Sequence, residues 1–327
     1  MKAILFPNYG SPDVLQLTEV EKPTPNENQV SVKIVAAAAN PLDWHRMRGE
    51  PIIARMGEGF RKPKDTRLGA DIAGRVEAVG KNVTEFKPGD EVFGAVGAGG
   101  FAEYVCTREK NLALKPGNIS FEAAAAAPVV GFTALQGLRD TGKIQAGQQV
   151  LVNGAAGGIG TFAVQIAKSY GTEVTGVCST RNLDMVRSIG ADHIVDYTRE
   201  DFTKNVQCYD LIYDAVGNRS VSAYRRALKP GGICVIAGFT SMPRLFEHML
   251  LGRWVSKRGD KKIGLMGISN ANKEDLLVLK ELLETGKVVP VIDRRYPLHE
   301  TAEAIRYLET LHARGKVIIN VEPPAQS

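Results

Sequence analysis

A glycine-rich stretch between two apolar runs is the strongest chemical signal in the sequence. The letters GAAGGIG, Gly154–Gly160, follow the apolar run Val150–Asn153 and lead into the helix-like letters TFAVQIAK. Glycine weakens helices and strands, so four glycines at this junction indicate that something approaches the backbone closely. Amide groups and the dipole at a helix start attract phosphate. The spacing Ala155-x-Gly157-x-x-Gly160 therefore predicts a dinucleotide-binding turn.

In such a turn the middle glycine leaves room for the phosphates, and the last one lets the helix pack closely on the strand. An ordinary glycine-rich turn is the alternative, but the strand before it and the helix after it favour a cofactor loop. The residues predicted to contact the cofactor here are Ala156, Gly157, Gly158 and Ile159.

The segment after the next apolar run indicates which dinucleotide is bound. In an NAD enzyme, an acidic residue about 20 positions after the glycines holds the ribose 2′-hydroxyl. Here the letters are CSTRN, Cys178–Asn182, and no acid comes before Asp184. Two hydroxyls and a guanidinium suit a 2′-phosphate, because arginine forms paired charge-assisted hydrogen bonds with it. Ser179, Thr180 and Arg181 are therefore predicted to bind the phosphate of NADPH, although the two hydroxyls could instead cap the following helix.

Alternating strands and helices are predicted to hold these segments in place. A helix-like stretch runs from about Ala123 to Thr141, and the pattern then alternates as in a parallel, doubly wound sheet. The predicted strands are Val150–Val152, Val174–Cys178, His193–Asp196, Leu211–Tyr213, Ile233–Gly238, Val288–Val291 and Val317–Val321. The predicted helices are Thr161–Tyr170, Leu183–Ile189, Lys273–Glu284 and Glu300–Leu311.

The first part of the chain has a different pattern. Gln29–Ala36 alternates apolar and polar residues, and turn residues recur at short intervals, which predicts an antiparallel, barrel-like domain. Arg55–Arg67 is basic and lacks periodicity, so it is predicted to be a loop. The predicted fold class is thus α/β, a Rossmann-type doubly wound parallel sheet plus an antiparallel β-barrel domain. The predicted boundaries are 1–122, 123–291 and 292–327, the last returning to the first domain.

Composition excludes several classes of protein. The 327 residues are 44% hydrophobic and 24% charged, as in a soluble globular protein of about two domains. The net charge is +5 with scattered basic residues, which does not predict nucleic-acid binding. The four cysteines have no paired spacing, no apolar segment reaches the roughly 20 residues of a membrane helix, and no secretory peptide is evident. Reduced thiols and a cytoplasmic location are therefore expected.

Several longer motifs carry a resemblance to a known family. They are ANPLDW (Ala39–Trp44), LGADIAGRVEAVG (Leu68–Gly80), FKPGDEVFG (Phe86–Gly94), DAVG (Asp214–Gly217) and HARGKVIINV (His312–Val321). With the glycine loop, they make the chain resemble the medium-chain dehydrogenase/reductases, in their zinc-free quinone oxidoreductase (zeta-crystallin-like) branch. The resemblance implies a first domain of the GroES type, a Rossmann domain, an active site between them, and a homodimer.

The same resemblance implies site residues on the substrate side. It puts Asn40 beside the nicotinamide, where its amide could bond the ribose or the substrate oxygen. Asp43 and Thr133 are implied in the same cleft. Asn40 could instead be only a turn residue before Pro41, and Thr133 could only cap or pack a helix.

Further cofactor residues follow from the matched motifs. Tyr197 is implied against the 2′-phosphate or adenine, Val216 beside the adenine ribose, and Phe239 and Thr240 beside the nicotinamide. Tyr197 could instead pack on its own domain. The resemblance also implies that a C-terminal loop reaches back to the cofactor; its residues are Arg314, Gly315 and Lys316. A basic pair at a surface turn is the alternative for that loop.

The residue types at three positions indicate whether the chain can bind a catalytic zinc. Zinc-dependent relatives place a Cys and a His-Glu pair where this sequence has Asn40 and Ala70-Asp71. A catalytic zinc needs about three nitrogen, sulfur or oxygen ligands. Because Asn40 is a poor ligand and Ala70 is none, the sequence predicts that no zinc is bound.

Without a Lewis acid, oxidising an alcohol is difficult, whereas reducing an electron-poor acceptor is easier because the nicotinamide supplies the hydride. The predicted activity is NADPH-dependent reduction of small quinones or α,β-unsaturated carbonyls (enones and alkenals). Two alternatives remain: an alcohol dehydrogenase acting on simple alcohols or aldehydes, and an NADPH-binding protein without turnover. No spacing in the sequence identifies a proton donor.

Overall fold

The structure is a computed structural model, and it describes residues 1–52, 55–204 and 206–322. The strands are β1 (Lys2–Leu5), β2 (Gln16–Glu19), β3 (Gln29–Ala39), β4 (Asp71–Val79), β5 (Glu91–Ala95), β6 (Tyr104–Arg108), β7 (Leu112–Leu114), β8 (Gln149–Asn153), β9 (Glu173–Cys178), β10 (His193–Asp196), β11 (Tyr209–Asp214), β12 (Leu228–Ile236), β13 (Lys262–Leu265), β14 (Ile292–Pro297) and β15 (Lys316–Asn320).

The α-helices alternate with the strands in the middle of the chain. They are α1 (Pro41–Arg48), α2 (Arg55–Glu58), α3 (Phe121–Ala125), α4 (Pro128–Gln136), α5 (Gly158–Ser169), α6 (Leu183–Ser188), α7 (Val221–Ala227), α8 (Met242–Glu247), α9 (Arg253–Arg258), α10 (Lys273–Glu284) and α11 (Thr301–Glu309). Short π-helical segments extend α4 over Gly137–Thr141 and join α8 to α9 over His248–Gly252.

The chain forms two compact units. The first comprises residues 1–129, 271–285 and 290–327, and the second comprises residues 130–270 and 286–289. Helix α10 groups with the first unit, although the sequence analysis included it in the 123–291 segment. Its buried face carries Leu276, Leu279 and Leu283, and Lys273 Nζ donates to Leu112 O at 2.7 Å. Helix α10 therefore contacts β7 of the same unit.

The second unit contains the predicted parallel sheet. Its strand order is β10-β9-β8-β11-β12-β13, with every neighbouring pair parallel. Strands with helices on both faces are apolar throughout, and in β8 Val150, Leu151 and Val152 are fully buried. Helix α5 packs on β8 and β9. The strand order reverses between β8 and β11, where the crevice of such folds holds its ligand.

The first unit contains a mainly antiparallel sheet, as predicted. The order is β14-β15-β3-β4-β5-β7, with β6 also paired to β3 and only the β14–β15 pair parallel. Phe6, Ile34, Ile72 and Phe101 form its core together with Ile305 of α11. Strand β3 ends in a buried run of alanines, where it pairs with β15 on one side and with β4 on the other.

Two local predictions differ from the structure. The predicted strand at Val288–Val291 is wrong, because the strand is β14 and begins at Ile292. The backbone of Val289 is satisfied by a side chain instead: its N–H donates to Gln165 Oε1 at 2.8 Å, and its carbonyl accepts from Gln165 Nε2 at 3.1 Å. The segment 55–67, predicted to be a loop, contains the short helix α2; residues 53 and 54 lie outside the described part.

Candidate functional site

The loops after five parallel strands lie at one edge of the sheet in the second unit, which we call the carboxyl edge. Because parallel strands end on the same side, segments distant in sequence become neighbours there. The predicted cofactor residues at this edge are Ala156, Gly157, Gly158 and Ile159 after β8, Ser179, Thr180 and Arg181 after β9, Tyr197 after β10, Val216 after β11, and Phe239 and Thr240 after β12. The structure thus brings these eleven predicted residues to a common edge.

The glycine turn has the two properties that the motif predicts. A Cβ at Gly160 would lie 2.0 Å from the carbonyl oxygen of Gly154, so only glycine permits α5 to pack this closely. A Cβ at Gly157 would meet nothing nearer than that same oxygen, at 3.5 Å, so the space in front of Gly157 is open. Gly157 caps α5, whose first-turn amides have no partner within the helix. The turn is therefore an open cradle lined by N–H donors, which fits a phosphate.

The turn after β9 is organised by an acid that the sequence analysis missed. Thr180 Oγ1 donates to Asp196 Oδ2 at 2.5 Å, and Thr198 donates to Asp196 Oδ1 from its N–H at 3.0 Å and its hydroxyl at 2.7 Å. These hydrogen bonds lower the pKa of Asp196, and the bond from Thr180 has the largest effect. The hydroxyl proton of Thr180 is thus committed to Asp196 and is not offered to a phosphate, contrary to the prediction.

Ser179 and Arg181 keep the properties that a phosphate site needs. Ser179 Oγ accepts from Asn182 Nδ2 at 3.2 Å, which leaves the serine hydroxyl proton able to donate to a ligand. Arg181 is exposed beside it. Tyr197 is 54% exposed, so it does not pack into its own domain, and its N–H donates to Cys178 O at 3.0 Å. These three residues therefore flank the ends of β9 and β10.

Asp214 ties two loops of the carboxyl edge together. Its Oδ1 accepts from the N–H groups of Val216 and Gly217, both at 2.7 Å, and its Oδ2 accepts from Asn153 Nδ2 at 2.9 Å and from Tyr224 Oη at 2.6 Å. Asn153 is the last residue of β8, directly before the glycine turn. The carboxylate therefore fixes the turn after β11 against the start of the glycine turn, a positioning role that the DAVG letters alone did not assign.

Thr133 lies on α4, in the second unit, and faces the segment after β13. Its Oγ1 lies 3.2 Å from Ser269 Oγ, and its carbonyl accepts from Tyr213 Oη at 3.0 Å. The half-buried hydroxyls of Thr133 and Ser269 share one hydrogen bond, in which either hydroxyl can be the donor.

The first unit holds a second group of predicted residues in a buried polar cluster, formed by Asn40, Asp43, Asp71 and Lys316. Strand β3 ends beside β4 and β15, so the four side chains meet at one end of the sheet, each at most 3% exposed. Lys316 Nζ donates to Asn40 Oδ1 at 2.6 Å and lies 3.4 Å from Asp71 Oδ2. Asn40 Nδ2 donates to Asp71 Oδ2 at 2.9 Å and to Ala38 O at 3.2 Å.

Burial sets the electrostatics of this cluster. It raises the pKa of Asp43 to about 6, even though Oδ2 and Oδ1 of that carboxyl accept from the N–H groups of Asn40 and Gly69 at 2.8 and 2.9 Å. Burial likewise raises the pKa of Asp71 and lowers the pKa of Lys316. Backbone and side-chain hydrogen bonds therefore compensate charges that would otherwise be costly in the interior.

This geometry corrects two predictions. Lys316, predicted to reach the cofactor, has its ammonium bonded to Asn40 inside the first unit. Asn40, predicted to bond a ribose or substrate, uses both amide hydrogens on Asp71 and Ala38. Both side chains are consumed within the cluster, since a carboxamide has only two N–H donors.

Arg314 and Gly315 behave differently from their neighbour Lys316. Arg314 is exposed, and its N–H donates to Asp293 Oδ2 at 2.8 Å. Gly315 has φ +88°, and a Cβ there would lie 2.2 Å from Val291 O, so the chain can turn into β15 only with glycine. Of the three predicted loop residues, Arg314 is the one whose side chain is directed to the surface.

The comparisons with known proteins agree with this architecture. The family described as an alcohol dehydrogenase GroES-like domain matches residues 26–117, and that described as a zinc-binding dehydrogenase matches residues 189–319. A 2-methylene-furan-3-one reductase of Solanum lycopersicum is 37% identical over 99% of this chain and 80% of its own length. The chain belongs to the medium-chain dehydrogenase/reductase family. It resembles the quinone oxidoreductase branch of that family.

Other medium-chain dehydrogenase/reductases are similar over nearly the whole chain. An NADPH-dependent alkenal/one oxidoreductase, chloroplastic, of Arabidopsis thaliana is 36% identical over 98% of this chain and 79% of its own length. The solved quinone oxidoreductase of Coxiella burnetii is 30% identical, with a TM-score of 0.84 and coverage of 98% and 99%. A solved NAD-dependent alcohol dehydrogenase is 32% identical, with a TM-score of 0.87 and coverage of 98% and 100%. The predicted GroES-like and Rossmann-type fold is thereby confirmed.

The zinc-binding description of one matching family can be tested on the residues present. Two oxygen donors of the buried polar cluster, Asn40 Oδ1 and Asp71 Oδ2, lie next to the ammonium of Lys316. A divalent cation there would meet a fixed positive charge at close range. The donor set of this cluster therefore does not fit a zinc ion.

The described helices were also compared with what a membrane span requires. None of them combines the length and apolar character needed to cross a bilayer.

Proposed function

We propose that the chain is an NADPH-dependent reductase of small quinones and α,β-unsaturated carbonyls that works without zinc. The observation that carries the proposal is the open cradle in front of Gly157 at the start of α5, with Arg181 exposed after the neighbouring strand. When bound, NADPH supplies the hydride. The chain's own residues bind the cofactor and orient it.

The hydrogen-bond donors along the carboxyl edge indicate which residues bind which part of NADPH. We assign the pyrophosphate to the amides of Gly158 and Ile159 and the 2′-phosphate to Ser179 and Arg181, with Tyr197 alongside. Val216 borders the ribose, and Phe239 and Thr240 border the nicotinamide. Arg314 is the remaining surface cation of the C-terminal loop, and it is assigned to the cofactor on the family resemblance alone.

The substrate class follows from the absence of a Lewis acid in the proposed chemistry. Quinones and conjugated carbonyls are already electron-poor, so a hydride donor held in place suffices to reduce them. Two relatives support this class by name: one is an alkenal/one oxidoreductase and the other a quinone oxidoreductase. The solved NAD-dependent alcohol dehydrogenase makes alcohol oxidation the competing activity to be tested.

We also propose that the protein is a homodimer. Strand β13 is the last strand of the parallel sheet, and the adjacent helical segment exposes Phe246, Leu250 and Trp254. Contiguous exposed apolar side chains next to a strand edge favour a protein partner. Leu250→Asp should yield monomers by light scattering; a wild type that is already monomeric would refute the dimer.

A cytoplasmic or other reducing location is proposed from the cysteines. All four thiols are free in the structure, and reduced thiols are typical of proteins in reducing compartments. Its test is the location of a tagged full-length chain by microscopy; accumulation in an oxidising compartment would contradict it.

A substrate panel tests the activity. Purified protein is mixed with NADPH or NADH and with 1,4-benzoquinone, 3-buten-2-one or, in the oxidative direction, simple alcohols with NADP⁺ or NAD⁺. The expected result is steady NADPH oxidation with the first two acceptors, unchanged by a chelator. Turnover only with alcohols would establish the competing activity, and NADPH binding without any turnover would establish a binding protein.

A further inference from the structure

The buried polar cluster raises a question that the proposed activity does not answer. Lysine is rarely buried without a close anionic partner, because removing an ammonium from water is costly. Here Lys316 is only 2% exposed. Its nitrogen lies 3.4 Å from the nearer carboxylate oxygen of Asp71, which is not its shortest contact. The shortest contact of the ammonium, 2.6 Å, is to the neutral amide oxygen of Asn40. Charge neutralisation alone would favour the opposite order of distances.

The contact with Asn40 fixes which way its carboxamide points. The amide oxygen accepts from the ammonium, and the amide nitrogen donates to Asp71 Oδ2 and Ala38 O. Rotating the carboxamide by half a turn would place N–H donors against the ammonium and the oxygen against the carboxylate. Both contacts would then be repulsive, so Lys316 and Asp71 together permit a single orientation.

Asn40 also marks the point where β3 ends and α1 begins. Its backbone N–H donates to Asp43 Oδ2 at 2.8 Å, and the other oxygen of Asp43 accepts from the N–H of Gly69 at 2.9 Å. Asp71 Oδ1 accepts from the N–H of Val129 at 2.9 Å. The cluster therefore joins three main-chain segments, and the ammonium of Lys316 contacts it at Asn40 Oδ1, at Asp71 Oδ2 and, at 3.5 Å, at the carbonyl oxygen of Ala39.

We propose that Lys316 is a positioning residue that acts through Asn40, as an internal cation that holds the segment Asn40–Asp43 in one conformation for the reduction. The inference rests on the proposed function and on the family resemblance, which implies that Asn40 and Asp43 lie on the substrate side. A displacement of about 1 Å in a positioning segment can lower turnover about a hundredfold. NADPH binding should not change, because the proposed nucleotide donors Gly158, Ser179 and Arg181 lie in the second unit.

A double-mutant cycle with a charge-balanced background tests the proposal. The variants are Lys316→Met, Asn40→Ala, their combination, and Asp71→Asn/Lys316→Met. The last variant removes the charges of Asp71 and Lys316 together and replaces the single variant if that does not fold. Lys81→Met, an exposed lysine paired to Glu27, is the control. Lys316→Met should lower kcat with 3-buten-2-one about ten- to a hundredfold, with the dissociation constant of NADPH within twofold of wild type.

Two results distinguish positioning from simple neutralisation. If Lys316 acts through Asn40, the combined variant is no slower than the slower single variant, and the charge-balanced variant regains stability but not kcat. Multiplicative losses, or full recovery of kcat in the charge-balanced variant, would overturn the proposal. If the wild type shows no turnover, the proposed function fails and the side-chain amide resonances of ¹⁵N-labelled asparagine decide instead. Asn40 signals unchanged in the charge-balanced variant would refute positioning, and shifted or broadened signals would support it.

Discussion

The carboxyl edge of the second unit and the buried polar cluster of the first unit are both built from strand ends, but they use polar groups in opposite ways. At the edge, the turn beside Gly157 is open and Arg181 is exposed. In the cluster, Asn40 and Lys316 are bonded to partners within the protein. The difference shows that one region is suited to receive a ligand, whereas the other is suited to hold the main chain still.

The largest effect is expected from filling the open cradle. Gly157→Val puts a branched side chain where the phosphates are proposed to lie, while the nearest protein atom beyond the adjoining backbone, Gly154 O, is 3.5 Å from its Cβ. NADPH affinity should fall at least a hundredfold, about 2.7 kcal/mol, with an unchanged circular dichroism spectrum. Gly117→Val, at another open position, is the control. Unchanged NADPH affinity in fluorescence titration would mean that the turn binds no cofactor.

The two glycines of the same turn should respond in opposite ways to alanine. Gly160→Ala places Cβ 2.0 Å from Gly154 O, so α5 must shift, at a cost of about 1–3 kcal/mol in unfolding free energy. Gly157→Ala should be neutral or slightly stabilising, because its Cβ meets only ordinary contact. Urea denaturation of both variants checks this contrast, and equal losses would contradict it.

Removing the exposed guanidinium of Arg181 should weaken the binding of NADPH far more than that of NADH. Arg181→Ala loses a charge-assisted hydrogen bond of about 1.5–3 kcal/mol to the 2′-phosphate, which NADH lacks. The Michaelis constant for NADPH should rise roughly ten- to a hundredfold and that for NADH should hardly change. Arg187→Ala, which removes an arginine paired to Asp184 on α6, serves as the matched control. Parallel losses for both cofactors would remove the phosphate assignment.

The smallest expected effect is a pH-dependent change in the free energy of unfolding, and it arises in the buried polar cluster. Because burial raises the pKa of Asp43 from 3.8 to about 6, the folded state takes up a proton between these values while the unfolded state does not. This contribution to stability grows as pH falls through 6 and is absent above it. Relative to Asp43→Asn, the wild type should gain about 1 kcal/mol between pH 7 and pH 5. A pH-independent difference in urea unfolding would show that Asp43 titrates normally.

The sequence predicted the parts of the fold whose signals are local. The strand-turn-helix unit around Gly157 was readable because apolar runs flank the glycines on both sides. The predicted helix at Lys273–Glu284 has the bounds of α10, since its leucines recur at helical spacing. Val288–Val291 was mistaken for a strand because its apolar letters do not reveal that Gln165, more than 100 positions earlier, satisfies the backbone of Val289.

The site was predictable to the extent that each loop carries its own motif. The carboxyl edge could be foreseen for this reason, although Asp196 was missed because its contact with Thr180 joins two strands. Lys316 was assigned to the cofactor from a surface-turn motif, and only the pairing of β15 with β3 shows its side chain beside Asn40. Contacts between strands that are distant in sequence produce no local motif from which they could be predicted.

The central claim is that this chain transfers a hydride from NADPH to a conjugated acceptor without a metal. Its most direct test follows the label of NADPH in which both C4 hydrogens of the nicotinamide are replaced by deuterium, with 3-buten-2-one as acceptor and a chelator present throughout. The account predicts one deuterium at the β-carbon of the saturated ketone, detected by NMR or mass spectrometry. A product without deuterium, or a reaction that stops with the chelator and resumes with zinc, would contradict it.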